Sequence, residues 1–385
     1  MRFLPLVVKS LFRKRTRLVL TVGSILLAFL VISVLSTLLA TLDADPSGGR
    51  GMYRIAVRHR VSIANVLPRA HLEKIRQLPG VAAASQLNWF GGRYVDASAF
   101  HMFQRFGVDP EVFLSIFDEA TVVEGSAEAW RQDRSGLLVG RLLMRKYGWT
   151  LGQKVTLVGD IWPGTYELTI RAVYAGVDES AVWFDNRVIE EKLPNRAGLS
   201  TNFWIKAESA EAARRLIPEI NSLFENSPYP VRAETEKEFQ NEWVGLLGNV
   251  RLFLRFLVAN VSVILLLIAA NTLAMSARER VGEIAILRAI GFRQGTVLGL
   301  LLGEAFLLSL IGAGAGLGLW VAVFPGFRNV LLYSPLAGFA AGMRLFPEVL
   351  AATFAATLLV GLVAGVVPAV RSARRAIPDG LRFVG

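Results

Sequence analysis

Three histidines, His59, His71 and His101, are the side chains suited to proton transfer near neutral pH or to metal ligation. Their spacing offers no H-x-x-x-H pair for one helical face, and no G-x-S-x-G elbow presents a nucleophilic serine. The chain contains no cysteine, which excludes thiol catalysis, a disulfide framework and cysteine-bound zinc. No G-x-x-x-x-G-K-[ST] loop is present to cradle phosphates. Carboxylates are plentiful between residues 43 and 248, yet no spacing pairs them for acid–base work, and they read as a solvated surface. Two other features carry more information. One is the charged and apolar segment Ala277–Arg293, and the other is a lone carboxylate, Glu304, inside an otherwise uncharged apolar run.

The elements that position them are set by hydropathy. The 385 residues are 53% hydrophobic and 19% charged, against about 25% charged in an average soluble domain. A bilayer core about 30 Å thick takes roughly 20 apolar residues per helix. Leu18–Leu42, Phe256–Ala277, Gln294–Phe327 and Val349–Val370 meet this length, and only Glu304 interrupts them. The first is too long for the apolar core of a cleaved signal peptide, which runs about 7–15 residues, so it reads as a retained helix.

The net charge of +11 is distributed unevenly. Residues 43–248 hold 24 Lys/Arg and 26 Asp/Glu, whereas the remainder holds 18 and 5. Basicity that travels with the apolar segments indicates a membrane protein and argues against nucleic acid as a partner. Lys/Arg cluster before the first span, between the second and third, and after the fourth, while the third-to-fourth connection carries only Arg328 and Arg344. Because short basic loops stay cytoplasmic, both termini are expected inside and residues 43–248 outside.

The large insert reads as α+β. Arg54–Val61 alternates with Ile55, Val57 and Val61 on one side, as a strand does. Leu72, Ile75 and Leu78 recur at helical spacing before Pro79-Gly80. Gly136–Gly148 and Ser209–Phe224 read as helices, and Lys154–Val158, Tyr166–Tyr174 and Thr201–Ala207 as strands. Thr235 and Glu238 form a capping box, from which one long helix is expected to run into the second span.

In the inner loop Val281, Ile284, Leu287 and Ile290 recur every three residues and Gly291 closes the run, which predicts a short amphipathic helix. Its residues Arg280, Glu283, Ile284, Ile286, Leu287, Arg288, Ala289, Ile290 and Gly291 resemble the R-x-x-E-I-x-[IL]-[LM]-[RK]-[AS]-[IL]-G segment of MacB-like (FtsX-like) ABC-transporter permeases. Gly365-x-x-Pro368-Ala369 with Ala373, Pro378, Leu381 and Arg382 is similar to that family's closing pattern, with Gly380 where alanine is usual. The stretch from Gly140 through Gly148 to Gly152-Gln-Lys-Val resembles its periplasmic core domain less specifically.

That resemblance implies a permease subunit without a nucleotide site of its own. Two cytoplasmic ABC ATPase subunits, with their ATP and Mg, would dock on the inner helix, placing Arg280, Glu283, Ile284, Leu287, Arg288 and Gly291 at the ATPase-coupling contact. A second permease copy or a paralogue, a periplasmic adaptor and membrane lipids complete the implied partners, in a bacterial inner membrane. The implied function is export or extraction of a lipid, lipoprotein, peptide or drug-like substrate, with mechanical activation of cell-envelope enzymes as the alternative.

Glu304 is expected to be paired, because a lone charge at that depth costs a few kcal/mol, with Arg251, Arg255 or a neighbouring hydroxyl as candidates. Gly312, Gly316, Gly361 and Gly365 supply G-x-x-x-G spacings that let helices approach closely, within the bundle or between copies. The fold class that results is a four-helix transmembrane bundle with a large α+β extracytoplasmic domain inserted between helices 1 and 2. Residues 1–17 form a basic interfacial segment, 18–42 the first span, and 43–248 the core domain with its stalk helix. Residues 249–277 are the second span, 278–293 the coupling loop, 294–327 the third span, 328–348 an external loop, 349–370 the fourth span and 371–385 a cytoplasmic tail.

Overall fold

The computed structural model describes residues 15–44, 50–98, 101–176, 178–246, 249–279, 281–334 and 336–373. The basic segment 1–14, Arg280 and the tail 374–385 with Pro378, Gly380, Leu381 and Arg382 lie outside the described residues. The chain divides into two compact units. One comprises residues 1–43, 249–327 and 343–385, and the other residues 44–248 together with 328–342.

The first unit is helical. Its long helices are α1 (Arg15–Asp43), α9 (Val250–Glu279), α11 (Gln294–Leu332, whose last turn belongs to the other unit) and α13 (Pro347–Ala373). All four are long and apolar enough to cross a membrane. Between α9 and α11 lies α10 (Val281–Ala289). Ile25, Ile32, Leu265 and Leu308 form the bundle core. Close approach depends on small residues. A Cβ on Gly312 would sit 2.6 Å from Ile25 Cγ2, one on Gly316 2.9 Å from Phe29 Cδ1, and one on Gly361 would collide with the Ser309 side chain. Gly314 and Gly318 meet nothing within 4 Å. The glycine stripe of α11 therefore packs within the chain on its Gly312/Gly316 side, where the absence of side chains permits dispersion contacts backbone to side chain.

The second unit is built on a mixed ten-stranded sheet. Its strands are β1 (Arg54–His59), β3 (Val81–Trp89), β4 (Gln104–Val108), β5 (Thr121–Gly125), β6 (Gly136–Gly140), β7 (Lys154–Gly159), β8 (Gly164–Ala175), β9 (Ala181–Asp185), β11 (Asn202–Ala207) and β12 (Val231–Thr235). A short pair, β2 (Leu67–Pro68) and β10 (Leu199–Ser200), lies apart. The order is β12-β1-β11-β3-β4-β9-β6-β8-β5, with β7 also on β8; β4/β9 and β6/β8 pair in parallel and the other pairs are antiparallel. The accompanying helices are α2 (Arg69–Arg76), α3 (Pro110–Ile116), α4 (Ala127–Gln132), α5 (Arg141–Tyr147), α6 (Arg187–Lys192), α7 (Ala210–Leu223), α8 (Glu236–Leu246) and α12 (Ala337–Ala341). Ile55, Val57, Phe203 and Ile205 are covered by Leu72 and Ile75 of α2 and by Leu216 and Ile220 of α7.

Two expectations are corrected. Gly136–Gly148 is not one helix: Gly136–Gly140 is strand β6, and only Arg141–Tyr147 is helical. Leu137, Leu138 and Val139 are fully buried between β8 and β9, and a short apolar run buried on both faces has no period to distinguish strand from helix. Likewise, the helix expected to continue from Thr235 into the second span is two helices, α8 and α9. The capping box is present, with Glu238 N–H donating to Thr235 Oγ1 at 3.2 Å and Thr235 N–H to Glu238 Oε2 at 2.9 Å. A second start then occurs at Asn249, whose Oδ1 accepts from Leu252 N–H at 3.0 Å. An asparagine in that role begins a helix afresh, and Gly245 and Gly248 weaken the run before it.

Candidate functional site

Helix α10 is closed by a glycine device. Phe292 N–H donates to Leu287 O at 3.1 Å, Gly291 N–H donates to Arg288 O at 3.1 Å, and Gly291 has φ +102°. This is the Schellman pattern, in which a residue without Cβ takes the left-handed conformation and the last carbonyls are satisfied. Gly291 therefore sets where the chain turns toward α11. Ile284 and Ala285 are buried, with Ile284 packed near Val297, Phe292 and Leu301. Leu287 and Arg288 are half-buried.

The every-third-residue stripe does not all face inward, however. Ile290 is 72% exposed and Ile286, one turn before it, is 45% exposed, with Arg293 exposed beside them. Two outward isoleucines, Ile286 on the nine-residue helix and Ile290 just past its end, form a small apolar knob with a basic edge, chemistry suited to a protein groove. The reading by threes missed this surface, although the i, i+4 spacing of Ile286 and Ile290 was available to it.

Within the bundle, Glu304 is 2% exposed, as are Ser309 and, nearly so, Thr357 and Thr37. Trp320 Nε1 donates to Thr37 Oγ1 at 3.3 Å. Arg251, one of the partners considered for Glu304, donates to Asp43 Oδ1 and to Leu42 O, both at 2.9 Å. Gly365 is buried on α13, one turn beyond Gly361.

In the other unit, sequence reading missed a buried ionic clamp on α8. Arg54 of β1 donates to Glu236 of α8 at 2.6 Å and lies 2.7 Å from Glu119; Arg58 donates to Glu234 of β12 at 2.8 Å and pairs with Glu242 of α8. Arg54 and Arg58 are each 2% exposed. Burial alone would lower the Arg54 pKa, but the two carboxylates outweigh it and hold it above the ordinary guanidinium value. The strand thus buries Ile55 and Val57 on one face and aims two guanidinium groups from the other at the helix that leads toward residue 250. The three histidines serve separate local contacts. His59 Nδ1 accepts from Val61 N–H, His71 stacks on Phe224 at 4.1 Å, and His101 pairs with Asp96 at 2.7 Å.

Comparison with known proteins places these features. Residues 255–377 match the family described as FtsX-like permease C-terminal. A stretch of 151 residues is 32% identical to the pyoverdine export ATP-binding/permease protein PvdT of Pseudomonas fluorescens (strain Pf0-1); it covers 39% of this chain and 20% of that protein. The chain thus spans about a fifth of the length of this curated relative. Among solved structures, the extracellular domain of the noncanonic ABC-type transporter YknZ from Gram-positive bacteria aligns with 47% of this chain and 100% of its own, at 13% identity and a TM-score of 0.37. The periplasmic region of MacB from Actinobacillus actinomycetemcomitans aligns with 50% of this chain and 93% of its own, at 8% identity and a TM-score of 0.37. Residues 255–377, spanning most of α9, all of α10 and α11, and α13, are thus similar to the FtsX-like permease C-terminal family.

Proposed function

We propose that the chain is the membrane subunit of an ABC-type export machine. In it, separate cytoplasmic ATPase subunits dock on α10, and their closure moves the α+β domain to export or extract a lipid, lipoprotein, peptide or drug-like cargo. The observation that carries this reading is the match of residues 255–377 to FtsX-like permeases together with α10, where Ile286 and, just past the helix end, Ile290 are exposed. A similar protein whose name joins ATP binding, permease and export supports the same class of machine. On the distribution of Lys/Arg, both termini and α10 face the cytoplasm and the α+β domain lies outside. Arg280, Glu283, Ile284, Leu287, Arg288 and Gly291 then shape the ATPase contact. Ile284 and Gly291 fix the helix in place, and Arg288 meets an acidic rim of the receiving groove.

The test is tagged purification of the full chain from membranes in mild detergent, with mass spectrometry and an ATPase assay on the eluate. A stoichiometric ATPase with vanadate-sensitive turnover is expected, and Arg288→Glu or Ile290→Asp should release it while the chain itself still extracts. A pure, inactive homo-oligomer, or a fully active complex with either variant, overturns the reading.

A further inference from the structure

The membrane unit contains a groove between α1, α9 and α13. It encloses about 470 Å³, within the roughly 300–1,000 Å³ of ordinary ligand sites. Ile32 of α1 and Leu265 of α9 are buried beneath it. Along α13 its wall includes Ala352 and Ala356, both exposed, whose short side chains leave the space open.

The polar groups of the lining are ordered by depth. At one end stand its two carboxylates, Asp43 and Glu348. They lie at the ends of the candidate spans Leu18–Asp43 and Pro347–Arg371, which is the level of lipid headgroups. Asp43 is engaged by Arg251 at 2.9 Å, whereas the Glu348 carboxylate is exposed and makes no ion pair or hydrogen bond with a described residue. Roughly 8–10 Å further in come the hydroxyls of Thr353 and Ser36, five and seven residues from those carboxylates at about 1.5 Å per residue. Ser262 and Thr357 satisfy themselves on their own helices, donating to Val258 O at 2.8 Å and Thr353 O at 2.9 Å. The hydroxyls of Ser36 and Thr353 donate to no described residue. Deeper still, Ile32, Leu265 and Val360 make the lining apolar. From Glu348 to Val360 the groove follows α13 for roughly 18 Å. A hydrocarbon core about 30 Å thick gives each leaflet about 15 Å, so the groove is one leaflet deep.

We propose that this groove holds one acyl chain of a resident aminophospholipid, its ammonium on Glu348 and its ester carbonyls accepting from Ser36 and Thr353. A carboxylate without a counter-ion attracts a cation, and hydroxyls without acceptors in an apolar setting attract carbonyl oxygens. A glycerolipid with an amine headgroup presents cation, carbonyls and hydrocarbon in the same order as the groove receives them. The first turn of α13 accounts by itself for a carboxylate at Glu348, but not for the free hydroxyls and apolar slot beneath it. The lipid is bound and not exported, so the site stands apart from the export reading.

Native mass spectrometry of the full chain in mild detergent tests this. Titration with lysophosphatidylethanolamine, lysophosphatidylglycerol or dodecylamine reads the dissociation constant of the first bound molecule. Lysophosphatidylethanolamine should bind about tenfold tighter than either of the others. Glu348→Gln should erase its advantage over lysophosphatidylglycerol, and Ala356→Leu, which fills the slot, should weaken its binding about tenfold. Leu359→Ala, at an exposed position of α13 outside the groove, should change neither. Equal affinity for the two lysolipids leaves only unselective boundary lipid and overturns the proposal. Dodecylamine binding as tightly removes the ester carbonyls from it, and binding indifferent to Ala356→Leu removes the groove; each refutes it. Lipid found on monomers but absent from dimers gives the groove to a second copy and also refutes it. Absence of a co-purifying ATPase bears on the export reading alone.

Discussion

Removing one guanidinium should undock α8. Arg54 holds Glu236 and Glu119 at 2.6 and 2.7 Å, and those side chains are 9% and 12% exposed. Arg54→Ala removes the guanidinium that both buried carboxylates share, and breaking a buried pair by removing one partner costs about 3–5 kcal/mol. The guanidinium also lies over the Phe117 ring at 4.7 Å, so packing is lost with charge. If α8 opens as a local unit, about 3–5 kcal/mol corresponds to a roughly hundredfold or larger rise in its open population. Amide hydrogen exchange of the full chain in detergent, read on peptides covering residues 236–246, measures this quantity directly. Protection should fall by about two orders of magnitude there and change little on β6 or β9. Arg54→Met combined with Glu119→Gln and Glu236→Gln removes all three charges at similar volume and should recover much of the loss. Unchanged protection in Arg54→Ala would refute the clamp. A loss that the charge-free combination deepens would refute its electrostatic origin.

Other outcomes follow from the same geometry. Gly312→Val drives side-chain atoms into Ile25 and should lower the thermal midpoint of the detergent-extracted chain by an amount equivalent to about 1–3 kcal/mol. Gly314→Ala, with nothing within 4 Å, should leave that midpoint unchanged or slightly raised. Burial holds the His71 pKa below its ordinary 6.5, against the opposing pull of its hydrogen bond to Tyr229 O, so the folded state binds fewer protons than the unfolded state. Its contribution is therefore intact above pH 6.5 and lost as pH falls through the depressed value, and a stability profile of His71→Gln should be flatter across that window. Glu304→Gln should extract and fold as wild type while lowering ATPase turnover in the assembled complex; turnover equal to wild type removes Glu304 from the coupling route.

The spans were legible because each is an uncharged run of at least 22 residues, or in one case a longer run broken by a single carboxylate, and no soluble element needs that. The C-terminal end of α10 was legible too, since Gly291 has a local reason to be where it is. The clamp was not, because its partners are some 180 residues apart in the chain and charges on a strand read as solvent-facing. Attention to Ile55 and Val57 hid that Arg54, Ala56 and Arg58 form a second buried face. β3 was missed for a different reason: Val-Ala-Ala-Ala-Ser-Gln carries helix-forming alanines, and only pairing with β4 and β11 makes it a strand.

The position of β1 in the sheet has a consequence for biosynthesis. Its partners on both edges, β11 and β12, come more than 140 residues later. At about 5–20 residues per second, the strand is made roughly ten to thirty seconds before anything exists to pair with it. During that interval Ile55-Ala-Val57 is an open apolar segment of the kind that recruits neighbouring nascent chains. Arg54 and Arg58 flank it on both sides, charges that guard such a segment against self-association. The residues that lock the finished domain are thus also the ones that shield its first strand while it waits.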